Sequence, residues 1–95
     1  MSSSAVERQV LAHDVRVTDD ELVVSLDDGR RISVPLVWFP RLLSASSGAR
    51  SNWRLIGEGV GIHWPDVDED IAVDGLLRGL PSVEYRPLAR RRTVP

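Results

Sequence analysis

The feature that most constrains the fold is the turn sequence Asp27-Asp28-Gly29, which separates two runs of alternating apolar residues. Leu22 and Val24 precede the turn, and Ile32 and Val34 follow it. A two-residue loop would set these apolar residues beside polar ones, whereas a three-residue loop pairs them with one another. Because a slip of one residue moves every side chain to the opposite face, only the three-residue loop keeps all four on one face. The sequence therefore predicts a hairpin closed by a type I turn, with Gly29 in the left-handed region.

Shorter patterns predict the elements on either side of this hairpin. Val15 and Val17 alternate with polar residues, which indicates a first strand within residues 10–18. After Pro35 the apolar spacing becomes helical, so we expect short helices over residues 37–45 and 49–53. Pro40 is compatible with the first of these helices only in its first turn.

The second half of the chain is organised around a glycine-rich strand. Val60, Ile62 and Trp64 alternate with glycine and histidine, and Pro65 should end this strand because it cannot donate a ladder hydrogen bond. Glycines in a strand often mark a bulge or the close approach of another backbone. An acidic loop follows, and then we expect a short strand over residues 70–73 and a helical turn capped by Asp74.

These elements predict a small α+β domain. Its antiparallel sheet contains the N-terminal strand, the hairpin and then the glycine-rich strand, with two or three short helices. We expect a frayed N-terminus over residues 1–9, one domain over residues 10–81 and a mobile arginine-rich tail over residues 82–95. The 95-residue chain has no cysteine, which fits a reducing compartment, and no secretory or membrane-spanning apolar run. We therefore expect a cytoplasmic protein without a membrane partner.

The charge of the chain argues against specific binding to nucleic acid. The net charge is −2, so no overall basic field attracts polyanions. All twelve basic residues are arginine, and Arg86, Arg90, Arg91 and Arg92 fall in the predicted tail. Weak, non-specific binding of nucleic acid through this tail is one alternative function.

The motifs that could support catalysis or metal binding are incomplete. Asp66, Asp68 and Asp70 have the spacing that opens a calcium loop, but Ile71 stands where the turn glycine belongs and Leu77 where the bidentate glutamate belongs. His13 and His63, the two histidines, have no nucleophile in a recognisable arrangement. We therefore expect no enzyme activity, no cofactor and no ordered metal. A weak metal or ligand site that uses His63 and the acidic loop is a further alternative.

The aromatic residues suggest either a core or an interface. Four of the five are Trp38, Phe39, Trp53 and Trp64, and aromatic side chains dominate both small cores and binding hot spots. Trp64 suits either role, because a proline and the acidic loop follow it directly. The interface hypothesis assigns partner binding to the exposed aromatic and charged residues around this loop, namely Trp38, Phe39, Arg41, His63, Trp64, Asp66, Asp68, Glu69 and Asp70. Together with a free sheet edge, this surface predicts a homodimer, or a heterodimer with a neighbouring protein.

Several of these segments resemble the bacterial family of unknown function DUF2442. The residues that carry the resemblance are the Asp28-Gly29 turn, the segments at positions 34–43 and 52–56, the block Gly61-Ile62-His63-Trp64-Pro65 with residues 66–71 after it, and Leu76-Leu77. The resemblance covers about residues 10–80 and implies antiparallel strands with short helices, without catalytic residues. Family members often occur beside a second small family, which has led to a toxin–antitoxin suggestion. The resemblance therefore implies a non-enzymatic interaction or regulatory module, antitoxin-like, whose partner is encoded nearby.

Overall fold

The computed structural model of the protein describes residues 9–87. Within this range, six strands form two antiparallel three-stranded sheets, and the predicted α+β class is confirmed. Sheet A consists of β1 (Ala12–Val17), β2 (Glu21–Leu26) and β3 (Arg31–Pro35), in that order. Sheet B consists of β4 (Arg54–Ile56), β5 (Gly61–Trp64) and β6 (Glu69–Ala72). The helices are α1 (Pro40–Leu43), α2 (Ser47–Ser51) and α3 (Val73–Leu77), with 3₁₀ turns at Leu36–Trp38 and Gly57–Gly59.

Both ends of the chain extend beyond the described residues. The predicted frayed start lies outside them except for Gln9, as do residues 88–95 of the predicted tail. No helix in the described part of the chain has the length and apolar character needed to cross a membrane.

The hairpin has the predicted register. Leu22 lies opposite Val34, and Val24 lies opposite Ile32. The Leu26 N–H donates to the Arg30 carbonyl at 2.8 Å, and the Gly29 N–H donates to the Leu26 carbonyl at 3.1 Å. Gly29 has φ = 95°, so the three-residue loop with a left-handed glycine is confirmed.

The glycine-rich stretch differs in detail from the prediction, since it belongs to a second sheet. Strand β4 forms one edge of this second sheet. It is only three residues long, which is too short to show an alternating pattern in the sequence. Gly59 lies in the 3₁₀ turn before β5 and has φ = 119°. A Cβ atom at Gly59 would collide with the carbonyl oxygen of Ala12 in β1. Of the two alternatives for the glycines, a bulge or the close approach of another backbone, Gly59 shows the close approach, in the turn where the start of sheet A contacts the entry to sheet B.

The predicted helix over residues 37–45 is two shorter elements. Phe39 has φ = −125° and ψ = 84°, which separates the 3₁₀ turn from α1. Proline disfavours the helical conformation in the residue before it, so Phe39 is extended and Pro40 begins a new helix. The prediction of one helix over residues 37–45 was wrong, because it placed Pro40 in the first turn of a helix that had begun at residue 37.

The other two helices begin before their predicted starts. Helix α2 begins at Ser47 because the Ser46 side chain accepts a hydrogen bond from the Ala49 N–H at 3.1 Å. Helix α3 begins at Val73, and its N-cap residue, Ala72, makes no side-chain capping bond. The predicted cap at Asp74 is therefore wrong, and Asp74 lies in the first turn of the helix.

One apolar core connects both sheets to the helices. The inward faces of the strands contribute alternating residues, and α1 and α3 cover them with one leucine each. The buried set consists of Ala12, Val15, Leu22, Val24, Leu26, Val34, Leu36, Phe39, Leu42, Ile62, Trp64, Ile71, Val73 and Leu76.

Replacement of Gly29 by alanine tests the turn conformation. No atom lies within 4 Å of the position of a Cβ at Gly29, so its cost is conformational alone. We expect Gly29→Ala to lower the free energy of unfolding by about 1 kcal/mol, because a side chain strains the left-handed region. Urea unfolding followed by circular dichroism measures the change.

Gly75→Ala is a matched control. Gly75 lies inside α3, and a Cβ there would also meet no atom within 4 Å. The same substitution should raise the free energy of unfolding by about 0.5–1 kcal/mol, since alanine has the higher helix propensity. Shifts of equal sign for the two variants would contradict the assigned conformations.

Candidate functional site

Trp64, the residue most prominent in the predicted interface, is in the core. It is 0% exposed, and its indole Nε1–H donates to the Arg50 carbonyl at 3.0 Å. Trp64 lies two residues after Ile62 in β5, so both side chains lie on the inward face of the strand. The hypothesis that Trp64 contacts a partner is therefore corrected, because its ring has no surface available for contact.

The other two predicted aromatic contacts are also largely enclosed. Phe39 is 3% exposed, and Trp38 is half-buried against the core. The Trp38 carbonyl accepts a hydrogen bond from the Ser82 N–H at 3.1 Å. Ser82 belongs to the predicted tail, so this bond attaches the start of that tail to the domain.

Arg50 is an organising residue that the sequence did not single out. Its guanidinium donates to the Leu42 and Leu43 carbonyls at 3.0 and 2.9 Å and pairs with Asp19 at 3.0 Å. The last carbonyls of a helix have no partner within the helix, and Arg50 satisfies two of them at the end of α1. In the sequence, the one indication of this role was the position of Arg50, one helical turn after the capping residue Ser46.

The Arg41 guanidinium is held by hydrogen bonds within the chain. Its guanidinium makes a two-pronged pair with Glu84, with N–O distances of 3.1–3.2 Å, and donates to the Asp68 carbonyl at 2.8 Å. The pairing with Glu84 raises the pKa of Arg41. Arg41 thereby ties residues 82–87 to the turn between β5 and β6, where Asp68 has φ = 55°. Sequence reasoning placed Glu84 in the tail and so could not pair it with Arg41.

His63 and Asp70 form a cross-strand pair on the outer face of sheet B. They lie opposite one another in the β5–β6 ladder, and His63 Nδ1 is 2.5 Å from Asp70 Oδ1. Arg54 occupies the same row on β4. Within residues 9–87, no hydroxyl group hydrogen-bonds to the ring of His63, and no group of three acidic or histidine side chains is placed to hold a metal.

A groove near the predicted site lies beside β6, and we call it the β6 groove. One wall is β6 itself, the other is formed by residues 80–83, and the buried side chains of Phe39 and Leu76 lie at its base. Its volume is about 310 Å³. Leu80 and Val83 expose apolar surface on the second wall, and Val83 is 89% exposed.

The edge of β6 that faces this groove carries unpaired backbone groups. The Val73 N–H donates to the Val60 carbonyl at 2.9 Å, which fixes the order of narrow and wide pairs along the β5–β6 ladder. Asp70 and Ala72 are then the residues whose backbone groups point away from β5. Within residues 9–87, no backbone or side-chain hydrogen bond to the Ala72 N–H or the Asp70 carbonyl occurs on this side.

Glu69 places a half-buried carboxylate on the wall of the groove. Partial burial raises its pKa, and the positive charge of Arg41 opposes this only in part. Glu69 takes part in none of the ion pairs found among residues 9–87, because Arg41 pairs with Glu84 and Asp68 instead. The groove therefore has an apolar base and a negatively charged rim.

The structure brings together part of the predicted partner-binding set. Phe39, Glu69 and Asp70 line the β6 groove. Arg41 does not line it but pairs with Asp68 and with Glu84, the residue that follows Val83 in the groove wall. His63 is on the outer face of sheet B. Asp66 accepts a hydrogen bond from the Asn52 side chain at 3.1 Å, away from the groove.

Comparison with known protein families identifies the chain. A model of the family described as "Protein of unknown function (DUF2442)" matches residues 12–82. The chain belongs to this family. The matched DUF2442 region covers both sheets, all three helices and the first residue after Pro81, so the site lies almost entirely within it. No curated protein matches the chain.

A solved structure supports the fold assignment. A protein of unknown function from Rhodospirillum rubrum ATCC 11170 is similar to this DUF2442 chain with a TM-score of 0.70 and 24% sequence identity. The similarity covers 81% of this chain and 95% of that protein. At this level of identity the comparison shows a common fold.

Replacement of Trp64 tests its assignment to the core. We expect Trp64→Ala to lower the free energy of unfolding by about 3–5 kcal/mol, because the substitution leaves a large cavity and an unpaired Arg50 carbonyl. Thermal unfolding followed by circular dichroism measures this change. Trp38→Ala, at a half-buried position, is the control and should cost less. A Trp64→Ala variant that melts at the wild-type temperature would contradict the core assignment.

The raised pKa of Glu69 leads to a specific prediction for how the free energy of unfolding depends on pH. A carboxyl group whose pKa is raised in the folded state binds its proton more tightly there than in the unfolded chain. The free energy of unfolding therefore decreases as the pH rises from the ordinary carboxyl pKa through the raised one. We expect wild type to lose stability relative to Glu69→Gln in urea unfolding as the pH rises from the ordinary carboxyl pKa through the raised one. Asp66→Asn is the matched control, and a Glu69→Gln difference that stays constant over this range would refute the prediction.

Proposed function

We propose that this DUF2442 chain is a non-enzymatic protein-interaction module that binds an extended segment of a partner along the free edge of β6. The observation that supports this proposal is the β6 groove, where an unpaired strand edge opens onto an apolar base. Exposed strand edges bind extended peptides by adding a strand, so that backbone hydrogen bonds provide affinity and side-chain pockets provide specificity.

The groove offers both parts of this recognition mode. The Ala72 N–H and the Asp70 carbonyl point away from β5 and provide a donor and an acceptor for a new strand. Phe39 and Leu76 form an apolar base below them, which suits an inward-pointing side chain of the partner. The Arg41–Glu84 pair holds residues 82–87 against the domain, so the second wall is part of the folded structure.

The alternative functions have less support. A hydrolytic role for His63 and Asp70 would require a nucleophile, and within residues 9–87 none hydrogen-bonds to the histidine. A metal role would require further ligands, and no suitable group occurs in that range. The antitoxin-like role implied by the family resemblance is one form of our proposal, with the product of an adjacent gene as the partner.

Ala72→Pro tests whether the β6 edge binds partner segments. Proline removes the N–H that points into the groove, and the backbone of Ala72, with φ = −86°, is close to the conformation proline requires. A displayed library of random heptapeptides, selected against the full chain, should yield peptides that bind wild type and lose binding to Ala72→Pro.

Ala72→Val is the matched control, because it adds a side chain at the same exposed position and keeps the N–H. It should retain peptide binding, and both variants should show the circular dichroism spectrum of wild type. Selected peptides that bind folded Ala72→Pro as tightly as wild type would reject the β6 edge as the binding site.

A further inference from the structure

We infer that the free edge of β3 pairs with the β3 edge of a second copy of the chain, which joins the two copies of sheet A into one continuous antiparallel sheet. The inference does not depend on the proposed function, because β3 belongs to sheet A and the β6 groove lies beside sheet B. Three properties of β3 support it, namely unpaired backbone groups, charges of opposite sign at its two ends, and a half-buried isoleucine between the unpaired groups.

The unpaired backbone groups belong to Arg31 and Ser33. Strand β3 is at the edge of sheet A, with β2 as its neighbour in the sheet. The Leu26 N–H donates to the Arg30 carbonyl at 2.8 Å, which fixes the ladder so that Arg31 and Ser33 direct their backbone groups away from β2. Within residues 9–87, no backbone or side-chain hydrogen bond to these groups occurs on this side. Pro35 has no N–H, so the free ladder ends before it.

Antiparallel pairing about a twofold axis at Ile32 uses all of these groups. Arg31 of each copy then lies opposite Ser33 of the other, and each such pair exchanges both of its N–H···O=C bonds. The Ile32 side chains of the two copies face each other at the axis, on the inward face of sheet A. Within one copy Ile32 is half-buried against the core, so this contact removes more of its apolar surface from water.

The charges beside β3 are self-complementary about this axis. Arg31 stands at the start of the strand and takes part in none of the ion pairs found among residues 9–87. At the other end of the strand there is a hollow of about 360 Å³ that has two acidic and no basic lining residues; it is lined by Asp20, Glu21, Ser33, Val34 and Pro35. An arginine on an edge strand by itself discourages edge pairing, but an antiparallel copy brings each Arg31 to the acidic end of its partner.

Glu21 is the carboxylate that Arg31 of the second copy would reach. Its Oε1 accepts a hydrogen bond from the Ser33 hydroxyl at 3.0 Å, so the carboxylate already leans over β3 on the outer face of sheet A. Arg31 of the second copy lies opposite Ser33 on this same face. Glu21, like Arg31, has no ion pair within residues 9–87. Two symmetric Arg31–Glu21 pairs would therefore span the junction, and opposite charges on neighbouring strands stabilise a sheet.

Sedimentation velocity of the full chain tests the inference. We expect wild type to dimerise with a dissociation constant below about 100 µM. Arg31→Glu and Glu21→Arg should each raise this constant about tenfold or more, because each places like charges across the junction. The double variant Arg31→Glu/Glu21→Arg restores opposite charges and should dimerise within about threefold of wild type. Arg16→Glu, the same reversal on the exposed face of β1, is the matched control and should change the constant less than about twofold.

A disulfide reports the register of the pairing. The chain has no cysteine, so Ile32→Cys introduces a single thiol. The Cα atoms of facing residues at the axis lie about 4.5 Å apart, which a disulfide can span. Ile32→Cys should therefore form a covalent dimer under mild oxidation, as shown by non-reducing electrophoresis. Val17→Cys is the matched control, because Val17 is a half-buried β-branched residue on β1, and it should stay monomeric.

Amide hydrogen exchange measures the backbone pairing directly. The N–H groups of Arg31 and Ser33 should gain protection as the protein concentration rises through the dissociation constant, because they become hydrogen-bonded only in the dimer. Constant exchange at both amides in a sample that sedimentation shows to be dimeric would reject β3 as the junction.

The outcomes separate this inference from the proposed function. A chain that stays monomeric up to about 1 mM, or a dimer that Arg31→Glu leaves unchanged, would overturn the inference. A dimer that is lost in Ala72→Pro and retained in Arg31→Glu would place the second copy on β6, which also overturns it. Dimerisation of Ala72→Pro as in wild type supports the inference, and peptide binding by that variant then decides the proposed function alone.

Discussion

The burial of Trp64 is the constraint on which the rest of the structure depends. Its ring is fully buried in the core, and its indole N–H donates to the Arg50 carbonyl. Arg50 in turn satisfies the last carbonyls of α1. One large side chain thus links β5, α2 and α1. Because a buried indole N–H needs a partner and a buried ring needs close packing, the positions of these elements are coupled.

The candidate site is built on the outside of that framework. Helix α1 presents Arg41 to Glu84, and this pair holds residues 82–87 alongside the domain. Exposed ion pairs contribute little to stability, so the importance of this one lies in where it places the chain. It sets the second wall of the β6 groove opposite the free edge of β6. The proposed binding surface therefore combines a strand edge, which is a property of the sheet, with a wall held by two long-range contacts, the Arg41–Glu84 pair and the Ser82–Trp38 hydrogen bond.

The groove connects the family assignment to a physical hypothesis. Membership of DUF2442 and similarity to a protein of unknown function establish the fold. The β6 groove is the observation behind our proposal that the chain binds an extended segment of a partner. His63 and Asp70 pair on the outer face of sheet B, and Asp70 also lines the β6 groove. In the proposed interface, backbone groups of β6 would make the contacts, and the buried Phe39 ring would lie beneath them.

The sequence by itself determined the local features of this protein. The loop of the hairpin and its register followed from alternation around Gly29, and the α+β class followed from similar short-range rules. The tertiary structure decided the division into two sheets, the burial of Trp64, and the pairings of Arg41 with Glu84 and of Trp64 with Arg50. Those pairings join residues 14 and 43 positions apart. Periodicity and turn chemistry act over a few residues, whereas burial and ion pairing depend on which distant segments meet, and no local pattern specifies that.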